Sequence, residues 1–159
     1  MKECGELYEI VVFTASLSKY ADPLLDLLDI HRVIDHRLFR ESCTQHIGTY
    51  VKDLFRMGRP LSQMIIIDNS PHSYAFNPQN ALPCESWFDD KNDGELLELL
   101  RILQHLADPS VGDVMAEMAL MGVSGVSHIP GYETLQIGDD GSDDGDVTYD
   151  NGNEGDENE

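Results

Sequence analysis

In residues 65–74, IIIDNSPHSY, three consecutive isoleucines run into an acid, an amide, a serine and a proline. An unbroken β-branched run with no polar alternation is how a strand reads when both its faces are covered. Met64–Ile67 is therefore predicted as a buried strand, with the turn formers Ser70 and Pro71 carrying the chain away. Asp68 sits where the oily run stops. It either closes the strand or is carried by it into a site, and the rest of the chain decides between these.

The same pattern occurs upstream. Tyr8–Phe13 (YEIVVF) is a second β-branched and aromatic run, and it stops at Thr14-Ala15-Ser16. Next, Asp22 reads as an N-cap and Pro23 as a first helical residue, with Leu24, Leu25, Leu27 and Leu28 forming an apolar face. Residues 8–29 are thus expected to run strand, loop, helix. Arg32–Ile34 and Arg37–Phe39 read as short strand pieces. Thr49–Phe55 (TYVKDLF) has helix-compatible spacing, broken by Gly58-Arg59-Pro60. The Asn- and Pro-containing stretch from Pro71 to Pro83 reads as loop. Asp93-Gly94 opens a helix, ELLELLRILQHLA, and a second amphipathic segment runs from Asp108-Pro109 to about Met121.

Two doubly covered strands joined through a helix imply a parallel α/β sheet with a right-handed crossover. Ligands of such sheets bind beyond the carboxyl ends of the strands. If the two strands are neighbours, Thr14, Asp68 and Asn69 face one crevice. A hydroxyl, a carboxylate and a lysine from the intervening segment suit phosphate chemistry. Thr14 would hydrogen-bond a phosphoryl oxygen, and Lys52 would neutralise its charge. Asp68 would hold Mg2+, a hard ion that takes carboxylate and phosphate oxygen, with Asn69 in support.

Composition narrows the classes. The chain has 159 residues, enough for one domain, with 30 acids against 10 bases and a net charge of −20. That balance argues against nucleic acid or anionic lipid as a partner held by bulk charge. Ten of the acids lie between Asp139 and Glu159, a stretch without Lys or Arg. This Gly-, Asn- and acid-rich tail is expected to be disordered and available to a basic partner. The three cysteines form no CxxC pair and the six histidines no metal-ligand spacing, which fits a reducing compartment. No secretory signal pattern and no run of ~20 apolar residues appear, so a soluble intracellular protein is expected.

Four stretches in order, YEIVVFTASLSKYADPLLDLLD, YVKDL, MIIIDNSP and SWFDDKNDGELLELL, resemble the RNA polymerase II C-terminal-domain phosphatase family. The resemblance is to its small phosphatase and Dullard-like branch, within the haloacid dehalogenase superfamily, and covers roughly residues 5 to 105. It implies a Rossmann-like α/β core and Mg2+-dependent phosphatase action on phosphoserine or phosphothreonine in proteins. By motif, Thr14 matches the phosphate contact of the second motif and Lys52 the lysine of the third. Asp68 matches the metal ligand of the fourth, with Asn69 beside it, and Leu17 a wall of the substrate pocket. A nuclear location is expected on the same ground.

The family's first motif, DxDx(T/V) at the end of a strand, carries the nucleophilic and the acid–base aspartates. It is expected before YEIVVFTAS, where only MKECGEL stands. The expectation is therefore an N-terminally truncated phosphatase core over residues 1–122, followed by a linker and acidic tail over 123–159. Such a chain is expected to be inactive alone, because covalent phosphoryl transfer needs an in-line nucleophile. The alternative is a non-catalytic module that binds phosphoproteins. Exposed edges of the two strands would lower stability and invite pairing with another chain.

Overall fold

The fold was obtained as a computed structural model, which describes residues 1–128. The acidic segment 139–159 lies outside the described residues. After a short helix α1 (Lys2–Gly5), strand β1 (Val11–Phe13) leads into helix α2 (Ser18–Leu28) and returns as β2 (His36–Leu38). The β1 and β2 strands pair in parallel, Val12 opposite Arg37. Strands β3 (Thr44–His46) and β4 (Thr49–Val51) form an antiparallel hairpin. Its tip holds Ile47 and Gly48, both at positive φ (47° and 75°). Strand β5 (Ile66–Asp68) pairs in parallel with β6 (Ala81–Pro83), Asp68 opposite Pro83. Helices α3 (Glu95–Leu106) and α4 (Val114–Met121) follow.

The expected α/β character with parallel pairing is present, but the arrangement differs from a single sheet. The described strands form three two-stranded sheets, and β1 is not a ladder neighbour of β5. Helix α2 begins at Ser18 with Leu17 as N-cap, so Asp22 and Pro23 lie inside it. Pro23 falls in the second turn, where its missing N–H removes one helical hydrogen bond. Asp22 is instead drawn to Arg37 of β2, whose Nη1 donates to Asp22 (2.6 Å) and Asp26 (2.7 Å). The stretch read as helical at 49–55 is strand β4 followed by a 3-10 turn at Leu54–Met57. Asp53 caps that turn by accepting from the Phe55 N–H (3.0 Å). Within the stretch read as loop, Pro78–Asn80 turns into β6.

Helix α3 starts where the sequence places it, with Gly94 at the N-cap. Leu99, Leu103 and Leu106 sit on one face at helical spacing. They pack with Leu82 of β6 and with Val114 and Met118 of α4 in the main core. A second cluster holds Leu54, Ile66, Tyr74 and Ala81. Asp113 caps α4 through the Met115 and Ala116 N–H groups, and Gly122 ends it at φ 70°. The turn Gly125–His128 then packs back. A Cβ at Gly125 would stand 2.8 Å from the Ala81 Cβ and 2.9 Å from the Tyr74 ring, so glycine is what lets that turn close.

Candidate phosphate site

Two of the separate motifs meet at one end of this framework, and the third, at Thr14, ends another strand. Strand β5 ends on Asp68, which is buried, and the residue after β4 is Lys52. Their side chains form an ion pair in which the Lys52 ammonium donates to Asp68 Oδ2. The Lys52 side chain is 13% exposed and that of Asp68 6%, so this is an interior pair rather than a surface contact. The other carboxylate oxygen, Oδ1, accepts the Ser70 N–H at 2.9 Å, the turn that leads the chain out. Backbone bonding holds Lys52 as well: its N–H donates to the Ser73 carbonyl (2.7 Å). Lys52 is thus carried on the end of a strand, not on a helix as its spacing suggests.

Thr14 follows β1, and its N–H continues the ladder to the Leu38 carbonyl (2.9 Å). Its Oγ1 accepts the Ser16 N–H at 3.1 Å, which leaves the hydroxyl hydrogen to donate outward. Strands β1 and β5 share no ladder, so Thr14 is positioned by β1 and its own loop and not by the Lys52–Asp68 pair. The Cys43 Sγ donates to the Thr14 carbonyl at 3.9 Å. Burial pushes its thiol up from the ordinary value, with Lys52 pulling it down and Asp68 adding to the rise. Arg40 secures the same loop by donating to the Ala15 carbonyl (2.6 Å).

Asn69 is exposed and turns from Asp68 to the Ser86 hydroxyl, to which its amide donates at 2.7 Å. Leu17, 38% exposed, caps α2 beside the Thr14 loop in sequence. Three residues near Asp68 escape sequence reasoning: Cys43, Tyr74 and Cys84. Burial first and the Asp68 charge second raise the Tyr74 phenol. Burial, then Glu95 and Asp68, raise the Cys84 thiol. No spacing in the sequence reveals any of the three: the place of Cys84, two residues after the strand partner of Ile67, follows only from the β5–β6 pairing.

Chemically, the pair offers a cation fixed by a carboxylate, and Thr14 offers a hydroxyl donor at the end of β1. Among the described residues no group of three or more His, Cys, Asp or Glu could hold a metal ion. Asp68 alone, with both oxygens engaged, does not make a complete Mg2+ site.

Comparison with known proteins bears on this geometry. Residues 1–115 match the family described as NLI interacting factor-like phosphatase. A Dictyostelium discoideum protein called "Probable C-terminal domain small phosphatase" is 63% identical over 106 residues, covering 67% of this chain and 35% of that protein. The human "Carboxy-terminal domain RNA polymerase II polypeptide A small phosphatase 2" is 58% identical over 107 residues, 67% of this chain and 40% of its own length. "Phosphatase Herzog" of Drosophila melanogaster is 56% identical over 107 residues, 67% of this chain and 30% of its own. The chain thus spans well under half the length of these relatives.

Proposed function

Because the chain belongs to the NLI interacting factor-like phosphatase family, we propose that Thr14, Lys52 and Asp68 form the phosphate-handling part of a protein serine/threonine phosphatase. The observation that carries this reading is the buried Lys52–Asp68 pair. It joins two motifs 16 residues apart, at the carboxyl ends of β4 and β5. In this reading Asp68 orients the ammonium, which neutralises charge on the phosphoryl oxygens, and the Thr14 hydroxyl donates to one of them. Leu17 lines the substrate side. The substrate is a phosphorylated protein segment such as the C-terminal domain of RNA polymerase II, and the place of action is the nucleus.

Hydrolysis requires more than positioning. Family members generally use Mg2+, which when bound polarises the phosphoryl group, but the described residues supply one carboxylate toward it. No DxDx(T/V) pair precedes Tyr8. The spacing recurs at Asp144, Asp146 and Thr148, in the acidic segment outside the described residues. We therefore assign to these 159 residues the recognition of phosphoserine or phosphothreonine without turnover, a pseudophosphatase behaviour. An acidic pair presented beside Lys52 would convert it into catalysis. The acidic segment would contact basic partners.

The test pairs a phosphoserine peptide with its unphosphorylated twin. By fluorescence anisotropy the phosphorylated form should bind about tenfold tighter. Hydrolysis of p-nitrophenyl phosphate with Mg2+ should stay at background. Equal affinity for the two peptides sinks the recognition reading, and turnover abolished by Asp68→Ala sinks the claim of inactivity.

A further inference from the structure

Beside the phosphate site lies a cleft of about 470 Å3 that the phosphate chemistry does not use. Asn69, one residue past Asp68, stands on its wall, together with Glu85, Trp87, Phe88, Asp93 and Glu95. Two features of this wall are unusual. Trp87 is 62% exposed and Phe88 82%, so two large aromatic side chains face solvent next to each other. The indole is also held in place, because its Nε1–H donates to the Asp90 carbonyl at 2.7 Å. A smaller cleft of about 200 Å3 shares Trp87, Asp93 and Leu96 with the first.

The charge on the wall is one-sided. Glu85, Asp93 and Glu95 make no ion pair with a cation among the described residues. Glu95 is positioned by accepting the Glu85 N–H (3.0 Å to each oxygen), and Asp93 by accepting the Glu95 N–H (2.8 Å). Fixed carboxylates beside exposed aromatic faces match one side-chain chemistry: a cation on an apolar stem. A guanidinium or ammonium would lie over a ring while its N–H groups meet a carboxylate. The Asn69–Ser86 hydrogen bond ties this wall to the end of β5, so a peptide whose phosphate sits at Lys52 has the cleft within reach of its flanking residues.

We propose that this cleft is a subsite for an arginine or lysine side chain flanking the phosphorylated residue of the protein substrate. The assignment rests on the phosphate reading of Lys52 and Asp68 and narrows its substrate class to phosphosites with a basic neighbour.

The experiment uses the full chain and phosphoserine peptides in which one arginine is scanned through the flanking positions. At one or more positions arginine should bind about tenfold tighter than alanine, combining a cation–π and an ion-pair contribution. Glu85→Gln and Trp87→Ala should each cut that advantage roughly threefold. Trp87→Phe, which keeps a ring, should retain more of it than Trp87→Ala. Because the chain is strongly acidic overall, Glu6→Gln, at an exposed position outside the cleft and the acidic segment, is the control and should change nothing. No arginine preference at any position, with phosphate dependence intact, overturns the subsite and leaves the Lys52–Asp68 reading standing. An equal loss in Glu6→Gln and Glu85→Gln also overturns it, as bulk charge would then be the cause. Arginine preference that persists on unphosphorylated peptides without any gain from phosphate supports the cation subsite while overturning the phosphate reading.

Discussion

From Val51 onward the chain builds an interior: Val51, Leu54, Ile66, Tyr74, Ala81, Leu82, Leu99, Leu103, Leu106, Val114 and Met118 are all buried. From Met1 to Tyr50 no residue is buried, although the stretch includes a strand of Val-Val-Phe and a helix with four leucines. Leu24, Leu27, Leu28 and Ile30 are between 55% and 80% exposed. What differs is cover, not composition. Strand β6 is packed by α3 and α4, whereas nothing described lies over the outer face of α2. The first region is fastened by polar links instead. Tyr8 donates to the Leu103 carbonyl (2.6 Å) and Arg59 grips Glu9 (2.7 Å), while Cys43 meets the Thr14 carbonyl within the region itself. The proposed phosphate site would straddle the two regions, with Lys52 and Asp68 on the packed side and Thr14 on the lightly held one.

The largest effect is expected where the packed side holds its charges. Lys52→Met leaves a buried carboxylate unpaired and should cost about 3–5 kcal/mol of stability, measured by urea unfolding. Pairing it with Asp68→Leu should recover most of the loss, and a double variant no better than the single would break the account of that pair. Next comes the contrast in cover. Met118→Ala, at a fully buried position, should cost about 2–5 kcal/mol, while Leu27→Ala, 77% exposed, should stay within about 0.5 kcal/mol. Similar costs at the two positions would mean that the N-terminal region has a core after all.

Two smaller effects sharpen the picture. Millimolar Mg2+ should leave the melting temperature unchanged, because Asp68 supplies one ligand with both oxygens engaged; an Asp68-dependent rise would show a fuller metal site. The other concerns Tyr8, whose phenol burial lifts from 10.0 to about 12. Above the unfolded value the unfolded chain gives up a proton that the folded chain keeps, so stability is full below about pH 10 and declines toward pH 12. Tyr8→Phe should flatten that decline in a pH series of unfolding curves.

Much of this was readable in the sequence, and the reasons for success and failure are physical. Helix α3 was legible because its apolar periodicity coincides with real burial; the β5 run was legible as a strand, but of its three isoleucines only Ile66 is buried and Ile67 is 39% exposed, so its expected cover on both faces is not met. Asp68 became a candidate because Thr14 ends a second such run and the family motif matches there, whereas a carboxylate ending one strand is by itself more often a cap or turn former. The family motifs located Lys52 and Thr14, but local pattern misplaced Lys52 on a helix. In TYVKDLF the spacing of Tyr50, Val51 and Leu54 fits a helix, yet Thr49–Val51 pairs with Thr44–His46 across a two-residue tip. Strand β6 was hidden because Ala81-Leu82-Pro83 is too short to show a period. The meeting of Cys43 with Thr14 and the packing of Tyr74 with Ile66 and Ala81 depend on tertiary contact and leave no trace in spacing. The expectation that YEIVVF is covered on both faces failed for the opposite reason, since hydrophobicity states what a strand can bury and not what the rest of the chain supplies.

The central claim is that the packed and the lightly held regions form one phosphate site. Titration of the isotopically labelled chain with a phosphoserine peptide, followed by NMR, tests it directly. The resonances of Thr14 and of Lys52 should move together, saturate at the same peptide concentration, and stay still with the unphosphorylated peptide. Movement at Lys52 with Thr14 unaffected, or equal shifts with both peptides, would contradict it.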